Sequence, residues 1–224
     1  MSQDAVVLTE LSFRYSAGAV AKGPVVLEDV SLRIARGSRV LVVGGNGAGK
    51  STLLRVVGGM HMISPASSCL VLGKEAFADL TLNPVRVLLQ TEWATRSVAF
   101  AGYAVPLTGD FPVSEMHADW QERYPERRAE LIEVLGLDLS WKMHSVSDGQ
   151  RRRVQLFLNL LRPFEIVLLD EVLSVLDVLV RQNVLRYIKK ECETRGATCL
   201  YATHIFDGLE EWPSDMSMGN LATS

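Results

Sequence analysis

The chain has little cysteine: three in 224 residues, at Cys69, Cys192 and Cys199. The number is odd and the spacing matches no metal-ligand pattern, which excludes a disulfide framework and a zinc site and suits a reducing compartment. No apolar run reaches the length of a membrane span, so a membrane role would need another chain to supply the membrane part. The N-terminal Met1-Ser2-Gln3-Asp4 lacks the basic-then-apolar order of a signal peptide. There is no excess of positive charge: the net charge of −3 argues against a general binder of nucleic acid or anionic membrane. Repeats and low-complexity tracts are absent too. What remains, 48% apolar and 22% charged, is the profile of a soluble globular protein with a sizeable core.

Against that plain background one stretch stands out, Gly44-Gly45-Asn46-Gly47-Ala48-Gly49-Lys50-Ser51. It fits the phosphate-loop pattern of glycine, four residues, glycine, lysine and a hydroxyl residue. Arg39 to Val43 before it reads as a buried parallel strand, and Thr52 to Val57 after it as a helix stopping at Gly58-Gly59. Glycines let successive backbone N–H groups curl around an anion, and the helix start adds its positive end. Lys50 would place an ammonium on the β- and γ-phosphates of a nucleotide, and Ser51 a hydroxyl on Mg²⁺.

The rest of the chain alternates strands with helices, which implies a mostly parallel sheet. Residues 5–15, Val25 to Leu27 and Val30 to Ile34 read as strands, with a loop over Ser16 to Gly23. Leu70 to Leu72 and Ser97 to Phe100 read as short strands. Ser114 to Leu135 reads as two helices parted near Pro125 and ending at Gly136, and about 113–160 as a helical side lobe. Glu165 to Leu169 and Thr198 to Thr203 read as buried strands, flanking a helix over Val184 to Arg195.

Asp170 and Glu171 end one of these strands, and the carboxyl ends of parallel strands line the ligand crevice. Asp170 can hold Mg²⁺ there, and Glu171 can orient or deprotonate an attacking water. His204 ends the last strand and could hydrogen-bond a γ-phosphate or that water. Ser147 and Asp148 are good N-cap residues for a helix whose first turn holds Arg151, Arg152 and Arg153. Those arginines oppose the helix dipole, a cost explained by a nearby phosphate or acidic partner, or by a solvated basic face.

In this order the pieces resemble the nucleotide-binding domain of ABC ATPases over about residues 5–212. Gly44 to Ser51 looks like Walker A, Ile166 to Glu171 like Walker B, Val146 to Gln150 like the signature loop, and Ser174 to Asp177 like the D-loop. His204 matches the switch histidine, and Tyr15, or Phe13, the aromatic that stacks on adenine. The resemblance implies a P-loop core of mostly parallel sheet with an N-terminal antiparallel β subdomain and a helical side lobe, a single domain over 1–224. It implies ATP and Mg²⁺ as cofactors. ATP would be held by Tyr15, Gly44, Gly45, Asn46, Gly47, Ala48, Gly49, Lys50, Ser51 and Thr52, and Mg²⁺ by Ser51 and Asp170. Glu171, His204 and Lys50 would be catalytic. Ser147, Gly149 and Gln150 would reach the γ-phosphate held by a second copy, so a head-to-tail homodimer completes the sites.

Two stretches depart from the family. It usually carries a glutamine after a strand like Ser97 to Phe100, but Ala101 to Thr108 has none, and Gln90 precedes that strand. After His204 the chain runs into a polar tail, Pro213 to Ser224, where the family adds strands; the expectation is a shortened C-terminus with an uncovered sheet edge. Ser147 to Gln155, Arg195 to Thr198 and Tyr201 to Glu210 look most like the soluble, stand-alone ABC ATPases. These include plant ABC transporter I family members and a yeast factor associated with a deadenylase complex. That branch implies a regulatory ATPase of the cytosol and nucleus, in a protein complex, without membrane insertion or direct nucleic-acid binding. The alternatives are the ATPase subunit of a transporter whose channel is a separate chain, or a non-catalytic nucleotide-binding module.

Overall fold

A computed structural model describes residues 3–17, 21–91, 98–100, 103–105, 112–205, 208–209 and 211–214. Two compact units emerge. The first comprises Met1–Leu88, Phe164–Glu171 and Ile188–Ser224, and the second Leu89–Pro163 and Val172–Tyr187.

In the first unit, β1 (Asp4–Ala17) and β2 (Ala21–Ala35) form a long antiparallel pair, joined by β4 (Cys69–Val71) and β5 (Lys74–Glu75) in the order β2-β1-β4-β5. The sequence reading broke this pair into shorter strands around a loop at Ser16 to Gly23. The chain instead stays extended through Ala17 and from Ala21, and β2 crosses Asp29 without stopping. Two left-handed residues, Glu10 (φ 47°) and Asp29 (φ 49°), absorb the irregular register. Their amides are satisfied by serine hydroxyls of the facing strand, Glu10 N–H on Ser31 Oγ at 2.9 Å and Asp29 N–H on Ser12 Oγ at 3.0 Å. A bulge that keeps its donors paired need not end a strand.

The second sheet has the order β3-β10-β9-β6, from β3 (Arg39–Val42), β10 (Thr198–Ala202), β9 (Ile166–Asp170) and β6 (Arg86–Gln90). β10 pairs in parallel with both β3 and β9. All residues of these three strands are buried, as the continuous apolar runs require. Helix α1 (Lys50–Val57) follows β3 and buries Leu53, Leu54, Val56 and Val57 against Val6, Leu27, Val71 and Leu168 in one core. It ends at Gly58 and Gly59, and the Arg86 guanidinium caps it by donating to Val57 O at 3.1 Å and to Ala76 O at 2.7 Å. A cation there suits the negative end of the helix.

Beyond His204, Trp212 is buried and meets Tyr201 edge-to-face, while Arg39 Nε donates to Trp212 O at 2.7 Å. Ser214 N–H then reaches Arg39 O at 3.0 Å, on β3.

In the second unit, α2 (Ala118–Arg123) and α3 (Pro125–Leu135) part at Tyr124, and α3 ends on left-handed Gly136. Helix α4 (Asp148–Leu160) buries Val154, Leu156, Phe157, Leu158 and Leu160. Strands β7 (Val98–Phe100) and β8 (Tyr103–Val105) form a small antiparallel pair. Helix α5 (Val178–Arg195), which belongs to this unit as far as Tyr187 and to the first from Ile188, starts six residues before the expected helix. Asp177 explains the early start, because its carboxylate accepts the Val180 N–H at 3.0 Å in the manner of an N-cap. Among the described residues no helix is long and apolar enough to cross a membrane.

Gln90 needs a correction. Sequence reading set it aside as preceding the strand that should carry the family glutamine. It is in fact the last residue of β6, a strand of the β9 sheet, whereas Val98–Phe100 pairs only with β8 among the described residues. Of Arg86–Gln90 only Leu89 is buried.

Candidate functional site

Residues 44–49 leave the carboxyl end of β3 and turn into α1. Gly47 (φ 82°) and Gly49 (φ 83°) sit in the left-handed region, and the loop closes with Ala48 N–H on Gly45 O at 3.2 Å. Gly49 has a second reason to be glycine. A Cβ there would stand 2.8 Å from Val26 O and 2.9 Å from Leu27 Cδ2.

Lys50 is buried, yet its ammonium meets only carbonyl oxygens, donating to Gly44 O at 2.8 Å and Gly45 O at 3.0 Å. No carboxylate pairs with it among the described residues. A buried cation without a counter-ion, at the start of a helix, is set for an anion.

Ser51 Oγ donates to Asp170 Oδ1 at 2.8 Å. Two hard oxygens, one from the first turn of α1 and one from the end of β9, thus meet, the donor type Mg²⁺ takes. Asn46, Gly47, Ala48, Gly49, Lys50, Ser51, Thr52, Val26 and Glu171 line a cavity of about 330 Å³. That volume lies within the small-molecule range. The residues present therefore fit a nucleotide phosphate chain with its metal.

Glu171 holds φ at 52°, a left-handed conformation that costs a non-glycine residue about 1–2 kcal/mol. Its N–H donates to Ala202 O at 2.9 Å, which fixes the turn off β9 and directs the carboxylate to the cavity wall. His204 Nδ1 lies 3.4 Å from Glu171 Oε2, an ion pair when the imidazole is protonated.

Tyr15 reaches the same region from β1. Its hydroxyl shares a hydrogen bond with Thr52 Oγ1 at 3.1 Å, and its ring stands edge-on to Phe13 (centroids 5.1 Å) and His61 (5.4 Å). Burial, and then the nearby Arg55 charge, lower the His61 pKa from its ordinary value. Sequence reading missed Val26 and His61. Val26 lies in a β-branched run that read only as strand, and His61 follows a helix end with no motif around it.

Ser147, Gly149 and Gln150 lie in the second unit and do not line this cavity. They form a capping box. Ser147 Oγ accepts the Gln150 N–H at 3.3 Å, and the Ser147 N–H donates to Gln150 Oε1 at 2.9 Å.

Arg151, Arg152 and Arg153, expected in the first turn, are the fourth to sixth residues of α4, and they find backbone carbonyls. Arg151 reaches Met143 O at 3.4 Å and Asp148 Oδ1 at 3.3 Å. Arg152 reaches Gln90 O at 2.8 Å and Thr91 O at 2.6 Å. Arg153 reaches Leu135 O at 3.3 Å, at the negative end of α3, and Asp177 Oδ2 at 2.6 Å. A charge-assisted hydrogen bond is worth about 1.5–3 kcal/mol, against a dipole cost of about 0.3–1 kcal/mol per cation. The basic turn is thus explained within the chain, without a phosphate.

A family model described as ABC transporter matches residues 27–174. ABC transporter I family member 20 of Arabidopsis thaliana is 50% identical over 191 residues, covering 84% of this chain and 58% of that protein. CCR4-associated factor 16 of Saccharomyces cerevisiae is 37% identical over 231 residues, covering 96% of this chain and 75% of that protein. The chain thus spans little more than half the length of the Arabidopsis relative. Among solved structures, an ATP-binding subunit of an ABC transporter superposes with a TM-score of 0.74 at 23% identity, over 95% of this chain and 84% of that one. A dimeric ATP-binding cassette in a post-hydrolysis state with ADP and Pi superposes with a TM-score of 0.70 at 21% identity, over 94% and 92%. These two show the fold, a P-loop core with a mostly parallel sheet and an antiparallel β sheet beside it. The chain belongs to the ABC transporter family and carries that family's ATPase domain, the kind that binds ATP with Mg²⁺ and hydrolyses it.

Proposed function

We propose that this chain, as a single ABC domain, binds Mg-ATP in the cavity of residues 44–52, pairs head to tail with a second copy, and hydrolyses the nucleotide. The observation that carries the reading is that Glu171 shares one cavity wall with the phosphate loop. The Lys50 ammonium would exchange its two carbonyl partners for phosphate oxygens. Ser51 Oγ and the Asp170 carboxylate would hold Mg²⁺, which when bound neutralises charge on the β- and γ-phosphates. The Glu171 carboxylate accepts a proton from the attacking water, and His204, 3.4 Å away, orients that carboxylate. The Tyr15 ring offers its face to adenine. Ser147, Gly149 and Gln150 would close over the partner's nucleotide with the positive end of α4.

We read the role as regulatory, within a protein complex of the cytosol or nucleus rather than in transport; likeness to the yeast CCR4-associated factor supports the association with other proteins. Glu171→Gln keeps the shape and removes the base. The variant is expected to accumulate as an ATP-bound dimer with Mg²⁺ in size-exclusion chromatography. A variant that stays monomeric with ATP refutes the head-to-tail reading.

A further inference from the structure

We infer that Arg152 is a positioning residue, registering the N-terminal turn of α4, with Ser147, Gly149 and Gln150, against the backbone of Gln90 and Thr91. The two arms of its guanidinium span successive carbonyls, Nη1 on Gln90 O at 2.8 Å and Nη2 on Thr91 O at 2.6 Å. Gln155, a turn further along α4, adds Nε2 on the same Gln90 O at 3.1 Å, and its Oε1 accepts from Arg152 Nη1. The Arg152 side chain is buried, and both bonds are at least partly shielded from water.

Arg152, the fifth residue of α4, gains nothing from the positive end of the helix dipole. Its place there is accounted for by the two carbonyls it holds. A slide of α4 by one residue, about 1.5 Å, would break both bonds together. The helix therefore has one favoured position, and with it the capping box that presents Ser147 and the first-turn amides. Lysine, a point charge on a flexible stem, cannot span two carbonyls in a fixed plane. The inference rests on the reading that this turn closes over a partner's nucleotide.

The test places Arg152→Met and Arg152→Lys in the Glu171→Gln background and measures three things. These are affinity of the monomer for a fluorescent ATP analogue, ATP-driven dimerisation by analytical ultracentrifugation, and melting temperature. Analogue affinity is expected to stay within about twofold, since the phosphate loop shares no partner with Arg152. Dimerisation is expected to weaken at least about tenfold in Arg152→Met, with Arg152→Lys intermediate. Unchanged dimerisation per folded molecule, with only a lower melting temperature, overturns the inference and leaves Arg152 a structural residue. A Glu171→Gln parent that stays monomeric overturns the head-to-tail reading itself, and the inference with it. Where Arg152→Met does not fold, Arg152→Lys decides: full dimerisation overturns the inference, and weakened dimerisation with intact analogue binding upholds it.

Discussion

Alanine at Gly45, Gly47 and Gly49 should separate space from backbone strain within one loop. At Gly45 a Cβ meets nothing within 4 Å, and the residue is not left-handed. Alanine there restricts the unfolded chain, so the variant should be neutral or up to about 0.5 kcal/mol more stable. At Gly47 the Cβ also meets nothing within 4 Å, but φ is 82°. A left-handed cost of about 1–2 kcal/mol, offset by about 0.4–1 kcal/mol from the unfolded state, leaves a net loss near 1 kcal/mol. At Gly49 the same strain adds to a Cβ 2.8 Å from Val26 O and 2.9 Å from Leu27 Cδ2, with Leu27 in the core. Overpacking costs about 1–3 kcal/mol more, for a net loss of about 2–4 kcal/mol. Urea unfolding of the three nucleotide-free variants reads these differences as midpoint shifts at constant slope. Equal destabilisation at Gly47 and Gly49, or none at Gly49, would refute the reasoning.

Two further outcomes follow from titration. The Asp177 carboxyl is held below its ordinary 3.8, first by the Val180 N–H and then by Arg153. Its contribution to stability is present above that ordinary value and is lost as pH falls through the lower folded one. Acid unfolding followed by circular dichroism should show that increment missing in Asp177→Asn, and an unchanged acid profile would refute the assignment. Burial pushes Cys69 and Cys192 up to about 12, and Cys199 well above 9.0. The native protein should therefore not react with a disulfide reagent at pH 8 until denaturant exposes its three thiols, whereas prompt labelling would contradict their burial.

The phosphate loop was legible because glycines, a lysine and a hydroxyl residue at fixed spacing serve a chemistry that few other arrangements serve. The neighbouring strands were legible because strands buried on both faces read as unbroken apolar runs. Local pattern failed where a distant partner decides. Asp29 reads as a strand breaker, but Ser12 on the facing strand satisfies its amide. Gln90 precedes the strand expected over Ser97 to Phe100, and nothing in the local pattern of Arg86–Gln90 reveals that it joins the β9 sheet. The arginines of α4 leave a phosphate, an acidic partner or a solvated face open in the sequence, because nothing local reveals the carbonyls that they hold. The contact of His204 with Glu171, 33 residues apart in sequence, depends on β9 and β10 ending side by side.

The central claim is that Glu171, at the wall of the phosphate-loop cavity, carries out hydrolysis. The most direct measurement is Mg²⁺-dependent phosphate release from ATP by the 224-residue chain beside its Glu171→Gln variant. The account expects the variant to lose at least about a hundredfold in rate while still binding ATP. Equal rates in the two proteins would contradict it.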